Sequence, residues 1–216
     1  MKIGTSRAEA FSDGVMAIII TIMVLELKVP DISKEATTGS VLSNLRHIAP
    51  YFGAYVFSFM MIGIFWTNHH HMFHLLENTD EPLLGLNLIF LFWMSLIPFA
   101  TATMGANPQL PLSAALYGFV MLMTTLLLSI MRSYTIRKEL VHKDADKNLT
   151  RQIYFVSRQG RTKSYIGTAA YLLAIPLAYV QVYLAYICLL VPPILFFLPQ
   201  GIDDEKLASR IEEKNA

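Results

Sequence analysis

Arg7-Ala-Glu-Ala-Phe11-Ser12-Asp13-Gly14-Val-Met-Ala-Ile18-Ile-Ile-Thr21-Ile22-Met-Val-Leu25-Glu26 is the stretch on which the fold turns. Between Asp13 and Glu26 stand twelve uncharged residues, fewer than the ~20 that a lipid-exposed span needs. Extended from Ala8 to Val29 and stopped at Pro30, where the missing N–H ends a helix, the segment is long enough to cross a bilayer at about 1.5 Å per residue. A spanning helix with a carboxylate near each end does not sit easily in lipid, where a charge at mid-depth costs roughly 2.5–3.5 kcal/mol. The sequence therefore places this helix inside a bundle, beside water.

Its faces sharpen the placement. Ile18, Ile22 and Leu25 recur at i, i+4 and i+7 and form one narrow stripe, with Thr21 on its margin. Ser12 and Asp13 point away from that stripe, toward neighbouring helices. Several copies of the helix around an axis would turn the stripe into stacked aliphatic rings and Thr21 into a ring of hydroxyls. Such rings make a constriction that gates by dewetting. Taken alone, the same stripe is also what any helix packed in a core presents.

The rest of the chain repeats the membrane signal. The 216 residues are 54% hydrophobic and 15% charged, where a soluble domain carries about 25% charged residues. A second span reads from 48 to 68, with Trp66 at the end where interfacial aromatics gather. Fifty uncharged residues from Pro82 to Met131 are too many for one span, and the stretch from Met104 to Pro111 supplies a turn that divides them into spans 83–103 and 112–132. Pro98 is expected to kink the first of these, and Asn87 to face the bundle rather than lipid. A last uncharged run, Ser164 to Ile202, yields spans 164–179 and 181–199, with Pro176 and Gln181 marking the turn and Pro192-Pro193 bending the final helix. Net charge is only +1, so no nucleic-acid partner is read. Cys188, the only cysteine, excludes an intrachain disulfide and lies in apolar surroundings that favour inert packing.

Arg7-x-x-x-Phe11-Ser12-Asp13 at the start of the first membrane helix resembles the signature of the transmembrane protein 175 family of potassium channels. Trp66, His69 and Phe73 in the next helix are similar to that family's Trp-x-x-His-x-x-x-Phe pattern, and Asn87 and Pro98-Phe99 resemble it more weakly. The resemblance covers nearly the whole chain as one six-helix repeat. It implies an all-α membrane protein of the prokaryotic single-repeat type, assembled as a homotetramer with the first helix lining a central pore, conducting potassium without a carbonyl-type filter. By position it implies hydrophobic constriction layers at Ile18, Ile22 and Leu25 and a polar layer for selectivity at Thr21. Arg7, Phe11, Ser12, Asp13, Trp66 and His69 would form a polar network that holds the pore helix. No cofactor and no soluble partner are implied beyond the bilayer and the permeant potassium ion.

Topology follows from the basic residues. Nine of the seventeen Lys and Arg lie between Arg132 and Lys163, and such residues collect on the cytoplasmic side. Segment 133–163 is therefore read as a basic cytoplasmic linker. Six spans then put the N-terminus and the charged tail 200–216 in the cytoplasm of a cell (plasma) membrane protein, and Glu26 and Asp31 at the outer mouth. The loops 69–82 and 28–46 depart from the charge rule, the first lacking Lys and Arg and the second carrying Lys28, Lys34 and Arg46.

One rival signal remains. His70, His74 and Glu77, at i, i+4 and i+7, could present two imidazoles and a carboxylate from one helix face, which is metal-ligand chemistry. No further Cys or matched His closes that shell, so no metal is assigned. The same histidines could serve as pH sensors, since histidine titrates near neutrality. Asp144-x-Asp146-x-Asn148 opens like a calcium loop but has Leu149 and Phe155 where that loop needs Gly and Glu. No nucleophile–base pair or phosphate loop stands out. The reading is a potassium channel and not an enzyme, with a metal-dependent membrane enzyme at the histidine cluster or a secondary carrier as the alternatives.

Overall fold

Prolines mark where three of the helices begin. Pro82, Pro98 and Pro111 each stand in the first turn of a helix, where the absent N–H would have had no partner anyway. In the computed structural model the described residues are 5–27, 38–141 and 147–197, with only the backbone described for 38–47, 147–154, 156–157, 159 and 197. Asp31 and Lys34 of the first loop, the Asp144-x-Asp146 opening, and the tail 200–216 lie outside the described residues.

Among the described residues the chain forms α1 (Thr5–Ile22), prolonged by a 3₁₀ turn (Met23–Glu26), α2 (Thr38–His74), α3 (Glu81–Ser95), α4 (Ile97–Ala106), α5 (Pro111–Arg137), α6 (Lys147–Val180) and α7 (Val182–Phe197). Helices α3 and α4 are two halves of one interrupted span. The break falls at Leu96, where Pro98 two residues on has no N–H for the Met94 carbonyl and its ring crowds that carbonyl. Four helical stretches are long and apolar enough to cross a membrane: Thr5–Glu26, Ile48–His74, Glu81–Ala106 and Pro111–Arg137. The protein is an all-helical, multi-pass membrane protein. The runs expected as spans five and six are not among those four; they are the apolar second half of α6 and the shorter α7, which pair with each other and against α5.

Helix α5 is the most buried of the four long spans and α1 the least. Tyr117, Met121, Leu128 and Met131 of α5 are wholly enclosed. A hydroxyl cluster joins three helices in this core: Ser58 Oγ lies 2.9 Å from Tyr117 Oη and 2.7 Å from Thr101 Oγ1. Ser58 links the other two hydroxyls, and Thr101 also reaches Ile97 O, so each is partnered, which is the condition for keeping polar groups in a low-dielectric interior.

Three expectations are corrected by the helix bounds. Segment 133–163 is not a linker along its length: α5 continues to Arg137 and α6 starts at Lys147. Lys, Arg and Gln are good helix formers, so a polar, basic composition does not end a helix. Pro176 lies inside α6, and the turn falls at Gln181 alone. The second span is the later part of a single helix that begins at Thr38 and contains Pro50.

The loop after α2 meets the loop after α5. Glu77 N–H donates to Leu140 O over 3.0 Å, and Leu76 and Val141 form an isolated antiparallel bridge. Asp80 caps α3 by accepting from Leu83 N–H at 3.0 Å, and Tyr134 Oη donates to its other oxygen at 2.6 Å. The two loops therefore share one end of the bundle, and Glu9 of α1 stands beside His70 at that end too.

Candidate functional site

Helix α1 has two unlike faces. Ser12, Met16, Ile19 and Met23 are buried against the other helices. On the opposite side Ile18, Ile22 and Leu25 are 59%, 45% and 72% exposed, so the stripe read from the sequence is left largely uncovered by the described residues. Thr21 is exposed beside it, and its hydroxyl reaches Ala17 O at 2.8 Å and Ile18 O at 3.0 Å. The hydroxyl proton is thereby directed at the backbone, and the oxygen lone pairs are left outward. Glu26 is half-buried at the end of the 3₁₀ turn. Between α1 and α4 runs an open groove of about 480 Å³, lined by Val15, Ile18, Ile22, Glu26, Pro98 and Phe99 among others.

The buried face is tied down by a chain of polar contacts. Ser12 Oγ donates to Ala8 O at 2.8 Å and accepts from Asn87 Nδ2 at 2.8 Å. Asn87 Oδ1 is 2.8 Å from His69 Nε2. The His69 ring is stacked between Phe73 and Phe90, at centroid distances of 4.4 Å and 5.5 Å. With Asn87 Oδ1 as the acceptor, the proton sits on Nε2, so the stacked ring is held in one tautomer by one side chain of α3. Separately, Trp66 Nε1 donates to Asp13 Oδ1 at 3.0 Å, and the Trp66 ring stacks on His70.

Of the six residues expected to hold α1, four take part in these contacts: Ser12, Asp13, Trp66 and His69. Arg7 and Phe11 do not. Both are exposed in the protomer, and the spacing 7, 11, 18, 22, 25 puts them on the same outward face as the aliphatic stripe. The sequence reading missed Arg132. It was counted only as one of the basic residues that mark the cytoplasmic side; it is buried, and its Nη2 donates to Asn68 Oδ1 at 2.8 Å and to Asn68 O at 3.0 Å. Gly160 of α6 leaves the room for it, because a side chain there would collide with the guanidinium. An Asn at the end of one apolar span and a Gly on a later helix were the signals, and neither points to Arg132 without the packing.

The histidine cluster also differs from expectation. Helix α2 ends at His74, so Glu77 lies in the following loop, exposed and off the helical face. The carboxylate that meets the histidines belongs to Glu9 on α1, whose Oε1 is 3.0 Å from His70 Nδ1.

Comparison with known proteins bears on this arrangement. The family profile described as the endosomal/lysosomal potassium channel TMEM175 matches residues 7–98. A potassium channel of Chryseobacterium sp. (strain P1-3) is 40% identical over 179 residues, which is 83% of this chain and 85% of the relative. A potassium channel of Chamaesiphon minutus is 32% identical over 185 residues, 84% of this chain and 87% of its own. The crystal structure of a lysosomal potassium-selective channel TMEM175 homolog from Chamaesiphon minutus superposes with a TM-score of 0.72 at 32% identity, covering 90% of this chain and 96% of the other.

Proposed function

The chain belongs to the TMEM175 family of potassium channels, and from that premise we propose that it is itself a passive, potassium-selective channel whose pore is lined by α1. The family is one of channels, so the metal-dependent enzyme reading is dropped. One observation carries the proposal. The helix with the least cover inside the protomer exposes Ile18, Ile22 and Leu25 in a line while also carrying Asp13 and Glu26. A helix with that charge content is poorly matched to lipid, and copies of itself around an axis would cover it.

The proposed assembly is a homotetramer in the cell membrane with both termini cytoplasmic. Ions would be drawn toward the outer mouth by Glu26, pass the aliphatic rings of Leu25 and Ile22, meet the outward lone pairs of Thr21 and leave past Ile18. The aliphatic rings close the path by excluding water when narrow. Thr21 supplies oxygens whose own protons are engaged by the backbone, which leaves them free to accept a cation. Ser12, Asp13, Trp66 and His69 keep the helix in place without touching ions. Arg7 and Phe11, on the outward face, would meet the neighbouring copies or the axis.

The test is ion flux through purified protein in liposomes under opposed potassium and sodium gradients, beside the Ile18→Asn variant. Passive potassium-selective flux enlarged by the variant is the expected result. Flux that needs a co-transported second solute would instead support a secondary carrier.

A further inference from the structure

The end of the bundle where α1 starts holds a cluster that the ion path does not use. Glu9, His70 and His74 each offer one ligand atom, and those atoms lie within 4.8 Å of one another. We propose that these three side chains bind one transition-metal dication of the Zn²⁺ class and so clasp the first turns of α1 to the last turn of α2. The proposal stands on the cluster's own geometry and does not depend on how α1 meets its copies.

Two of the ligand atoms are already close together. Zn–N and Zn–O bonds of about 2.0–2.2 Å place tetrahedral ligands roughly 3.3–3.6 Å apart, and Glu9 Oε1 and His70 Nδ1 stand 3.0 Å apart. The His70 Nδ1 atom is buried and faces the Glu9 carboxylate. A buried ring nitrogen beside a carboxylate is a pair that a cation can bridge in place of a proton. His74 follows at i+4 on the same helix face, its ring edge-on to His70 at 4.5 Å and 84°. It is exposed, so a rotamer adjustment of about 1 Å brings it into tetrahedral range. Two imidazoles and one carboxylate select a first-row transition metal over Mg²⁺ or Ca²⁺, which take six or more oxygens. On its other side His70 stacks on Trp66, the residue that holds Asp13. A bound ion would therefore orient the ring that braces the α1 anchor.

The experiment is calorimetric titration of the full-length, tag-free chain in detergent with ZnCl₂ in the presence of excess Mg²⁺, with thermal unfolding recorded in parallel. The expected result is one Zn²⁺ per chain with a raised unfolding midpoint, since an ion that binds only the folded arrangement stabilises it. His74→Ala and Glu9→Gln should each weaken binding by roughly tenfold or more. His74 is exposed, so its replacement leaves the fold intact. Absence of saturable binding, or wild-type affinity in either variant, overturns the proposal. Binding is read by heat rather than by flux, so its failure leaves the channel reading standing, and the reverse holds too.

Discussion

The indole N–H of Trp66 donates to Asp13 Oδ1 over 3.0 Å, across 53 positions of sequence. This contact and the Ser12–Asn87–His69 chain secure one half of α1, while behind the half that carries Ile18, Ile22 and Leu25 the buried residues described are the apolar Ile19 and Met23. Trp66→Phe keeps an aromatic ring beside His70 and removes the N–H donor together with part of the stacked surface. Its expected effect is a loss of about 1 kcal/mol, read as a lower thermal midpoint and a smaller folded-oligomer peak in size exclusion. Asp13→Ala should reduce the yield at least as far.

Ser12→Ala leaves Asn87 Nδ2 buried without its acceptor, which costs about 1–3 kcal/mol. Asn87→Leu removes the partner of both Ser12 and His69 and should cost more. The double variant is expected to be less damaging than the sum of the two, because Ser12 and Asn87 are directly bonded. A coupling of about 0.5 kcal/mol or more in a double-mutant cycle checks this, and strict additivity would contradict the bond at 2.8 Å.

The two faces of α1 should respond differently. On the proposed pore, Ile18→Asn and Leu25→Asn would wet the constriction and are expected to raise resting potassium flux several-fold with little loss of stability, since both residues are exposed in the single chain. Met16→Ala, on the buried face, should cost about 2–5 kcal/mol and leave the flux per folded channel near its original value. Liposome flux normalised to folded protein separates the two, and unchanged flux in both Asn variants would remove those residues from the gate.

Thr21→Val preserves shape and deletes the hydroxyl. Loss of one oxygen contact worth about 1 kcal/mol should reduce potassium over sodium preference about fivefold. The reversal potential under bi-ionic gradients reports it directly, and an unaltered value would count against a hydroxyl layer.

Gly160→Ala places a methyl group where the Arg132 guanidinium lies. The arginine is then pushed from Asn68, and its two bonds at 2.8 Å and 3.0 Å weaken or break, for an expected loss of about 2 kcal/mol. In an Asn68→Ala background the same substitution should cost less, which thermal unfolding of the two pairs would show.

How much of this was legible in the sequence differs from residue to residue. Asn87, polar in an apolar run, was expected to face the bundle, and it is buried; lipid offers no partner for an amide, so this followed from composition. The burial of Arg132 went unread because the rule that places basic residues at span ends counts charge and not cavities. Glu77 was named for the histidine cluster because periodicity extends a helix until something stops it, and the stop lay in the loop bridge at Leu76 and the cap at Asp80. The interruption near Pro98 was legible in kind, since a missing N–H acts within one turn, while its position at Leu96 came from the structure.

What the sequence by itself determined is the all-helical membrane class, the approximate run of the four clear spans, and the division of α1 into an aliphatic stripe and a polar anchor side. Those properties depend on hydropathy and on a period of 3.6 residues, both of which act between neighbours in the chain. That Arg7 and Phe11 share a face with the stripe follows from the same spacing. Only the tertiary structure decided that this side of α1 stays uncovered, that Glu9 rather than Glu77 meets the histidines, and that Gly160 makes room for Arg132. Each of these depends on how residues of different helices meet. Packing settles such pairings through shape and hydrogen bonding, and neither quantity is carried by local spacing.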